Sequence, residues 1–467
     1  MISSKQDLSS IVIDSSSFRD PSGFIFSHEK EIYRAINPSY FENFSFFINS
    51  GLYSSLSAKK LIVKHSEIEK KFLEEYASHK VIKPQKIPFI SYPYEWCFNQ
   101  IKDAALLTLK IQKESLKHGM TLKDASAFNV QFIGSLPIFI DTLSFEKYKE
   151  GEPWIAYRQF CQHFLAPLAL MAYKSIELSK LSQLFIDGIS LELANTLLPK
   201  RSLANSVVLY HLHIHSKFQN ATTSKNQIKK NNLSLSKKKL ASIIEHLEEG
   251  IVGFSLKKKK STWNNYNETH NYSAQAKEAK EKIISVWLKK TNPSSIFDLG
   301  CNTGEYSFIA SPYANTVLSM DSDPSCIESL YKNSSQKGLN ILPLVVDLTN
   351  PTPSIGWNNK ERKSIPERGK ADMLLALALV HHLRISNNTP FSQIAEFFSE
   401  WGNNLIVEFI PKEDSQIQRI LSNREDIFNN LNFDSFIKQF ETIFELTEKQ
   451  PIPDSNRILC LFKKKSL

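Results

Sequence analysis

Ile296-Phe297-Asp298-Leu299-Gly300-Cys301-Asn302-Thr303-Gly304 reads as a buried strand that runs into a glycine-bearing turn and then a helix. Glycine has no Cβ, so such a turn lets the backbone approach a ligand closely. An acid closes the next strand pattern, Thr316-Val317-Leu318-Ser319-Met320-Asp321, seventeen residues after Gly304. Glycine turn first and carboxylate second is the order of a nucleotide site in a doubly wound sheet, where the acid takes the ribose hydroxyls. Asp298 separates two readings of that site. Standing just before the first glycine, its charge repels a pyrophosphate and attracts an ammonium.

The run Asp298-Leu299-Gly300-Cys301-Asn302-Thr303-Gly304-Glu305 resembles the first motif of class I S-adenosylmethionine-dependent methyltransferases. The resemblance continues through Asp321, Val345-Val346-Asp347-Leu348 and the stretch from Ala371 to Leu383, and covers roughly residues 262 to 467. It implies a Rossmann-like α/β sheet, mostly parallel with an antiparallel last strand, and S-adenosylmethionine as cofactor. On this likeness Asp298, with Gly300, Cys301, Asn302 and Gly304, holds the methionine moiety. Asp321 grips the ribose, Asp347 and Leu348 read the adenine, and Ala376 opens the segment towards which the methyl points. The usual middle glycine of the motif is Asn302 here, which requires either a negative φ or the left-handed well that Asn accepts better than most residues.

Proton transfer to or from a methyl acceptor needs a group with a pKa near neutrality, and His381 and His382 stand near the expected edge. Each equally fits a packing or loop-bonding role. Glu408, at the end of the fifth strand pattern, either orients substrate or caps the loop. No metal ligand set is expected, because Cys97, Cys161, Cys301, Cys326 and Cys460 are dispersed without CxxC or CxxH spacing. That odd, scattered set also points to a reducing, cytoplasmic setting.

A chain of 467 residues, 42% hydrophobic and 22% charged, is ordinary globular material too long for one core. No apolar run approaches the length of a spanning helix. Between Lys217 and Thr262, eleven lysines face three glutamates, which places +8 of the overall +9 in that segment. Lysine runs without interleaved aromatic residues read as a solvated tether, so nucleic acid is not the favoured partner. The expected organisation is therefore a mainly helical domain over 1–216, a Lys-rich linker over 217–261 and a methyltransferase domain over 262–467. Within the linker, Leu240, Ile243, Ile244 and Leu247 make one apolar helical stripe.

In the first half, 23–26 and 31–36 read as a hairpin, and helical patterns run from Ser39 to Lys117 and from Trp154 to Leu198. Between the helical stretches, Asp124, Asn129 and Asp141 have the spacing of a catalytic loop followed by a metal-holding aspartate. This resembles kinase-like and aminoglycoside-phosphotransferase-like folds. There is no glycine-rich phosphate loop, and loop capping within a helical domain explains the same residues. Two flanking elements are expected to shape specificity: Thr262 to Tyr266 with Tyr272 ahead of the first strand, and the long link containing Asn350 to Trp357 and Lys360 to Arg368.

The sequence thus points to a methyltransferase acting on an acceptor it does not name. Three alternatives stand beside it: an NAD-type oxidoreductase on the same sheet, a non-catalytic cofactor-sensing scaffold, and a bifunctional protein with an active N-terminal phosphotransferase.

Overall fold

A computed structural model describes residues 11–68, 80–216, 235–256, 272–422 and 425–466. The expected lid segment Thr262 to Tyr266 and the runs 217–234 and 257–260 lie outside these residues. In the C-terminal half, seven strands form one sheet: β10 (Ser295–Leu299), β11 (Thr316–Asp321), β12 (Ile341–Val345), β13 (Ala371–Ala376), β14 (Gly402–Phe409), β15 (Phe444–Pro451) and β16 (Ile458–Lys464). Their order is β12-β11-β10-β13-β14-β16-β15. The pairs from β12 to β14 are parallel, and β16 runs antiparallel between β14 and β15. That is the class I methyltransferase sheet. Its inner strands are buried on both faces by flanking helices, which is why β10 and β13 read as near-continuous apolar runs. β15 lies at the edge of the sheet. Glu445 and Lys449 are among its exposed positions, and such charges suit an edge strand.

The N-terminal half holds more strand than its helical patterns suggest. A five-stranded antiparallel sheet, in the order β1-β2-β3-β5-β4, contains β1 (Val12–Ile13), β2 (Gly23–His28), β3 (Glu31–Ile36), β4 (His65–Ile68) and β5 (Lys80–Pro84). Helix occupies Phe41–Asn49, Leu52–Ala58 and Phe98–Lys117, so the pattern from Ser39 to Lys117 is interrupted by β4 and β5. Short apolar runs such as Val81-Ile82 fit a buried strand as well as a helix, and sheet pairing with β3 decides between them. After Phe98–Lys117 come β6 (Met120–Leu122), β7 (Val130–Ile133), β8 (Leu136–Phe139) and β9 (Phe145–Lys147), paired as β6-β9 and β7-β8.

One apolar cluster runs through both halves, with Trp96, Phe132 and Phe164 on one side and Leu288, Leu330 and Leu374 on the other. Polar contacts stitch the seam. Gln100 Nε2 donates to the Pro343 carbonyl at 3.0 Å, and the Tyr331 hydroxyl donates to Asp103 at 2.7 Å. Gly134 sits so close that a Cβ there would lie 2.6 Å from the Leu339 carbonyl oxygen. The amphipathic helix Lys237–Gly253 is not a free tether. It buries Leu240, Ile244, Leu247 and Ile251, and Lys113 from helix Phe98–Lys117 pairs with its Glu248 at 2.5 Å.

The link between β12 and β13 also behaves differently from expectation. Only its first residues face the sheet's ligand edge; the rest straps the N-terminal half. Lys363 Nζ reaches Asp14 at 3.0 Å, Arg19 Nε reaches Glu361 at 2.7 Å, and the Arg362 guanidinium lies 4.2 Å over the Phe128 ring. Arg368 makes a forked pair with Glu95, both side chains 2% exposed, with its guanidinium against the rings of Phe89 and Tyr92.

Candidate functional site

In an open parallel sheet, a ligand cleft forms beyond the carboxyl ends of the strands where the strand order reverses. Here that point lies between β10 and β13, and a cavity of about 410 Å³ opens there. The loop after β10 makes its floor. Gly300 and Cys301 both donate their N–H to the Met320 carbonyl, at 2.8 and 3.0 Å, which ties the turn to the end of β11. Gly300, Asn302 and Gly304 take φ of +73°, +50° and +87°. Asn302 thus uses the left-handed well, and its N–H donates to Asp321 Oδ2 at 2.8 Å. A Cβ on Gly304 would stand 2.2 Å from Leu330 Cδ1. Only glycine fits.

Asp298 lines the cavity while being 2% exposed. Ser307 Oγ donates to it at 2.5 Å, and Ser319 donates to Ser307 at 2.8 Å. Burial pushes its carboxyl up to about 6, against the Ser307 hydrogen bond, with the Asp321 charge adding to the rise. A cation brought beside it would restore the charged form. Asp321 accepts from two backbone amides, those of Asn302 and Asp323, and burial raises its pKa as well. Asp323 does not line the cavity; it caps the helix Pro324–Lys337 by accepting from the Ser325 amide at 2.8 Å. Asp347 reaches the cavity and also accepts from the Thr349 amide and hydroxyl, an Asx-type turn.

The other anticipated residues divide. Cys301, Leu348 and His382 line the cavity. Ala376 does not, being fully buried within β13; Leu377, Ala378 and Leu379, the next three residues, form that wall. His381 points away into the core at 4% exposure, and its Nδ1 has no hydrogen-bond partner. Burial drives its pKa well below the usual range, helped by the charges of Arg457 and Lys280. Burial lowers the pKa of His382 too, which favours its neutral form. Glu408 is 0% exposed and bonded to Tyr272, Lys280 and the Ala378 amide, so it faces no substrate.

Lys280 and Tyr306 are among the lining residues that the sequence reading does not single out. Lys280 sits 2% exposed, with its ammonium 4.9 Å from the Tyr272 ring centroid and 4.5 Å from that of Tyr306. Tyr306 itself lines the wall. A signal for Lys280 existed: it interrupts the apolar stripe of Ala276, Ile284 and Leu288 on helix Ala274–Thr291, and a lysine on a buried stripe demands a partner.

The N-terminal aspartates also meet. Asp124 feels the Asp141 charge and takes a hydrogen bond from Asn129, while burial is the main cause of its raised pKa. A basic residue completes the group. Arg34 on β3 reaches Asp141 at 2.8 Å and Asp20 at 2.6 Å. Among the described residues no group of three or more His, Cys, Asp or Glu is arranged to hold a metal ion.

No family model matches the chain. Over 455 residues it is 32% identical to the nodulation protein NoeA of Rhizobium meliloti (strain 1021), covering 96% of this chain and 95% of that protein. Part of the chain is similar to the N-methyltransferase NodS from Bradyrhizobium japonicum WM9 in complex with S-adenosyl-l-homocysteine. That likeness has 10% identity over 44% of this chain and 100% of the other, with a TM-score of 0.32. A further likeness is to magnesium protoporphyrin IX methyltransferase (ChlM) from Synechocystis PCC 6803, with 12% identity over 44% of this chain and 92% of the other and a TM-score of 0.30.

Proposed function

The chain belongs to the family of the nodulation protein NoeA, and from its own cavity we propose that it is an S-adenosylmethionine-dependent methyltransferase. The observation that carries this reading is the buried Asp298 carboxylate at a glycine-lined turn, with Asp321 beside it. A carboxylate held at about 6 by burial gains from an ammonium and loses from a pyrophosphate. This favours an amino-acid-bearing nucleoside over NAD. Asp298 and the Gly300–Gly304 backbone would hold the methionine end, Asp321 the ribose hydroxyls, and Asp347 with Leu348 the adenine. The cofactor supplies an electrophilic methyl group. The chain's part is to bind, orient and exclude water, and His382 can take a proton from an acceptor hydroxyl or amine. Five buried free cysteines suit a reducing cytoplasm.

Asp321→Ala is expected to weaken S-adenosylhomocysteine binding by about 1.5–3 kcal/mol, the scale of lost charge-assisted hydrogen bonds. Calorimetry on the full chain checks this, with Asp323→Ala as control. Normal binding by Asp321→Ala alongside loss in Asp323→Ala would reverse the assignment of the ribose ligand.

For the N-terminal half we propose a companion role without phosphoryl transfer. The supporting observation is Arg34, whose guanidinium already spans Asp20 and Asp141. A cation built into the acidic cluster leaves a divalent ion little to gain. Titration of the full chain with Mg-ATP should show no binding in the micromolar range. Micromolar affinity that vanishes in Asp141→Ala would make the protein bifunctional.

A further inference from the structure

Ala378, in the cavity wall two residues past β13, has a φ of +50°. Left-handed backbone is uncommon for a residue with a Cβ that lacks the local hydrogen bonding of Asn or Asp. Such a conformation persists only where its surroundings over-determine it. The surroundings here are one carboxylate. Glu408 Oε2 accepts from the Ala378 N–H at 2.9 Å and from Lys280 Nζ at 2.8 Å, while Oε1 accepts from the Tyr272 hydroxyl. Arg457 lies 3.7 Å from Oε1, donates to the Tyr272 hydroxyl at 2.7 Å, and is itself anchored on Asp414 at 2.8 Å. The side chains of Glu408, Lys280 and Arg457 are 0%, 2% and 4% exposed, so all three charges are buried.

We infer that Glu408 is a positioning residue that clamps the Ala378 peptide in its left-handed turn, and that Lys280, Tyr272 and Arg457 hold the carboxylate for that purpose. Because β13 and β14 are neighbours, the end of one strand sets the shape of the loop leaving the other. Leu377, Ala378 and Leu379 are thereby presented to the cavity, and Leu379 also packs on Gly300, where a Cβ would come within 3.1 Å of it. The clamp thus shapes both walls of the cleft. This inference rests on the reading of that cleft as the cofactor site.

Two substitutions test it. Ala378→Gly removes the backbone strain, so the ligand-free protein should melt roughly one to two degrees higher; a lower midpoint would overturn the inference. Glu408→Gln should weaken S-adenosylhomocysteine binding roughly tenfold or more, and adding Ala378→Gly in that background should recover most of the loss. A Glu408→Gln protein that binds as the parent does, or a folded double variant that binds no better than Glu408→Gln alone, would overturn it. If the parent chain bound no S-adenosylhomocysteine, the functional reading would fall, while the ligand-free melting of Ala378→Gly would still decide the clamp.

Discussion

Arg368→Met is expected to destabilise the whole chain by about 3–5 kcal/mol, the scale of stranding a buried charge. Arg368 comes from the C-terminal half and Glu95 from the N-terminal half, and both side chains are 2% exposed. Removing the guanidinium leaves a carboxylate among Phe89, Tyr92 and Tyr94 with, among the described residues, the Tyr92 amide at 2.9 Å as its donor. Adding Glu95→Gln should recover part of the loss, because a neutral amide keeps that hydrogen bond without the charge. Denaturant unfolding reads both variants. A single-variant loss below about 1 kcal/mol would place the pair among the weak surface bridges and refute a structural role for the strap.

Gly304→Ala should cost about 2–5 kcal/mol and abolish cofactor binding. Two effects add. A residue with a Cβ at φ +87° is strained by roughly 1–2 kcal/mol. The new methyl would also meet Leu330 at 2.2 Å, and Leu330 is fully buried, so overpacking brings about 1–3 kcal/mol more. Thermal unfolding with and without S-adenosylhomocysteine separates the loss of stability from the loss of binding. A variant as stable as the parent, with intact binding, would mean that the turn after β10 is not the cradle described above.

What could be read from the sequence follows from how local each signal is. The turn from Gly300 to Gly304, Asp298 before it and Asp321 after it are set by strand, turn and strand in immediate succession; Asp298, Gly300 to Thr303 and Asp321 line the cavity, and Gly304 does not. Asn302 departs from the usual glycine, yet its φ of +50° meets the same demand. The far wall was harder. Ala376, His381 and Glu408 lie on the right strand ends, but which of them faces the cleft depends on a left-handed residue at Ala378 and on a network drawn from Lys280, Tyr272 and Arg457. Long-range partners of that kind leave no spacing to find. The same holds for the strap, whose Arg368 and Lys363 are surface-like by composition and acquire meaning only from Glu95 and Asp14. In the first half, the aspartates were visible by spacing, whereas the role of Arg34 was hidden because its partner Asp141 lies far along the chain.

Calorimetric titration of the full chain with S-adenosylhomocysteine, at pH 7.5 and again at pH 5, tests the central claim most directly. The Asp298 carboxyl stands near 6 without ligand, and a bound ammonium favours its charged form. Full affinity is therefore expected above that value and a decline of up to tenfold per pH unit below it, with proton release on binding in the acidic range. The account predicts one site per chain at pH 7.5, weaker binding at pH 5, and no comparable heat from NAD. Saturable NAD binding without a response to S-adenosylhomocysteine would contradict it.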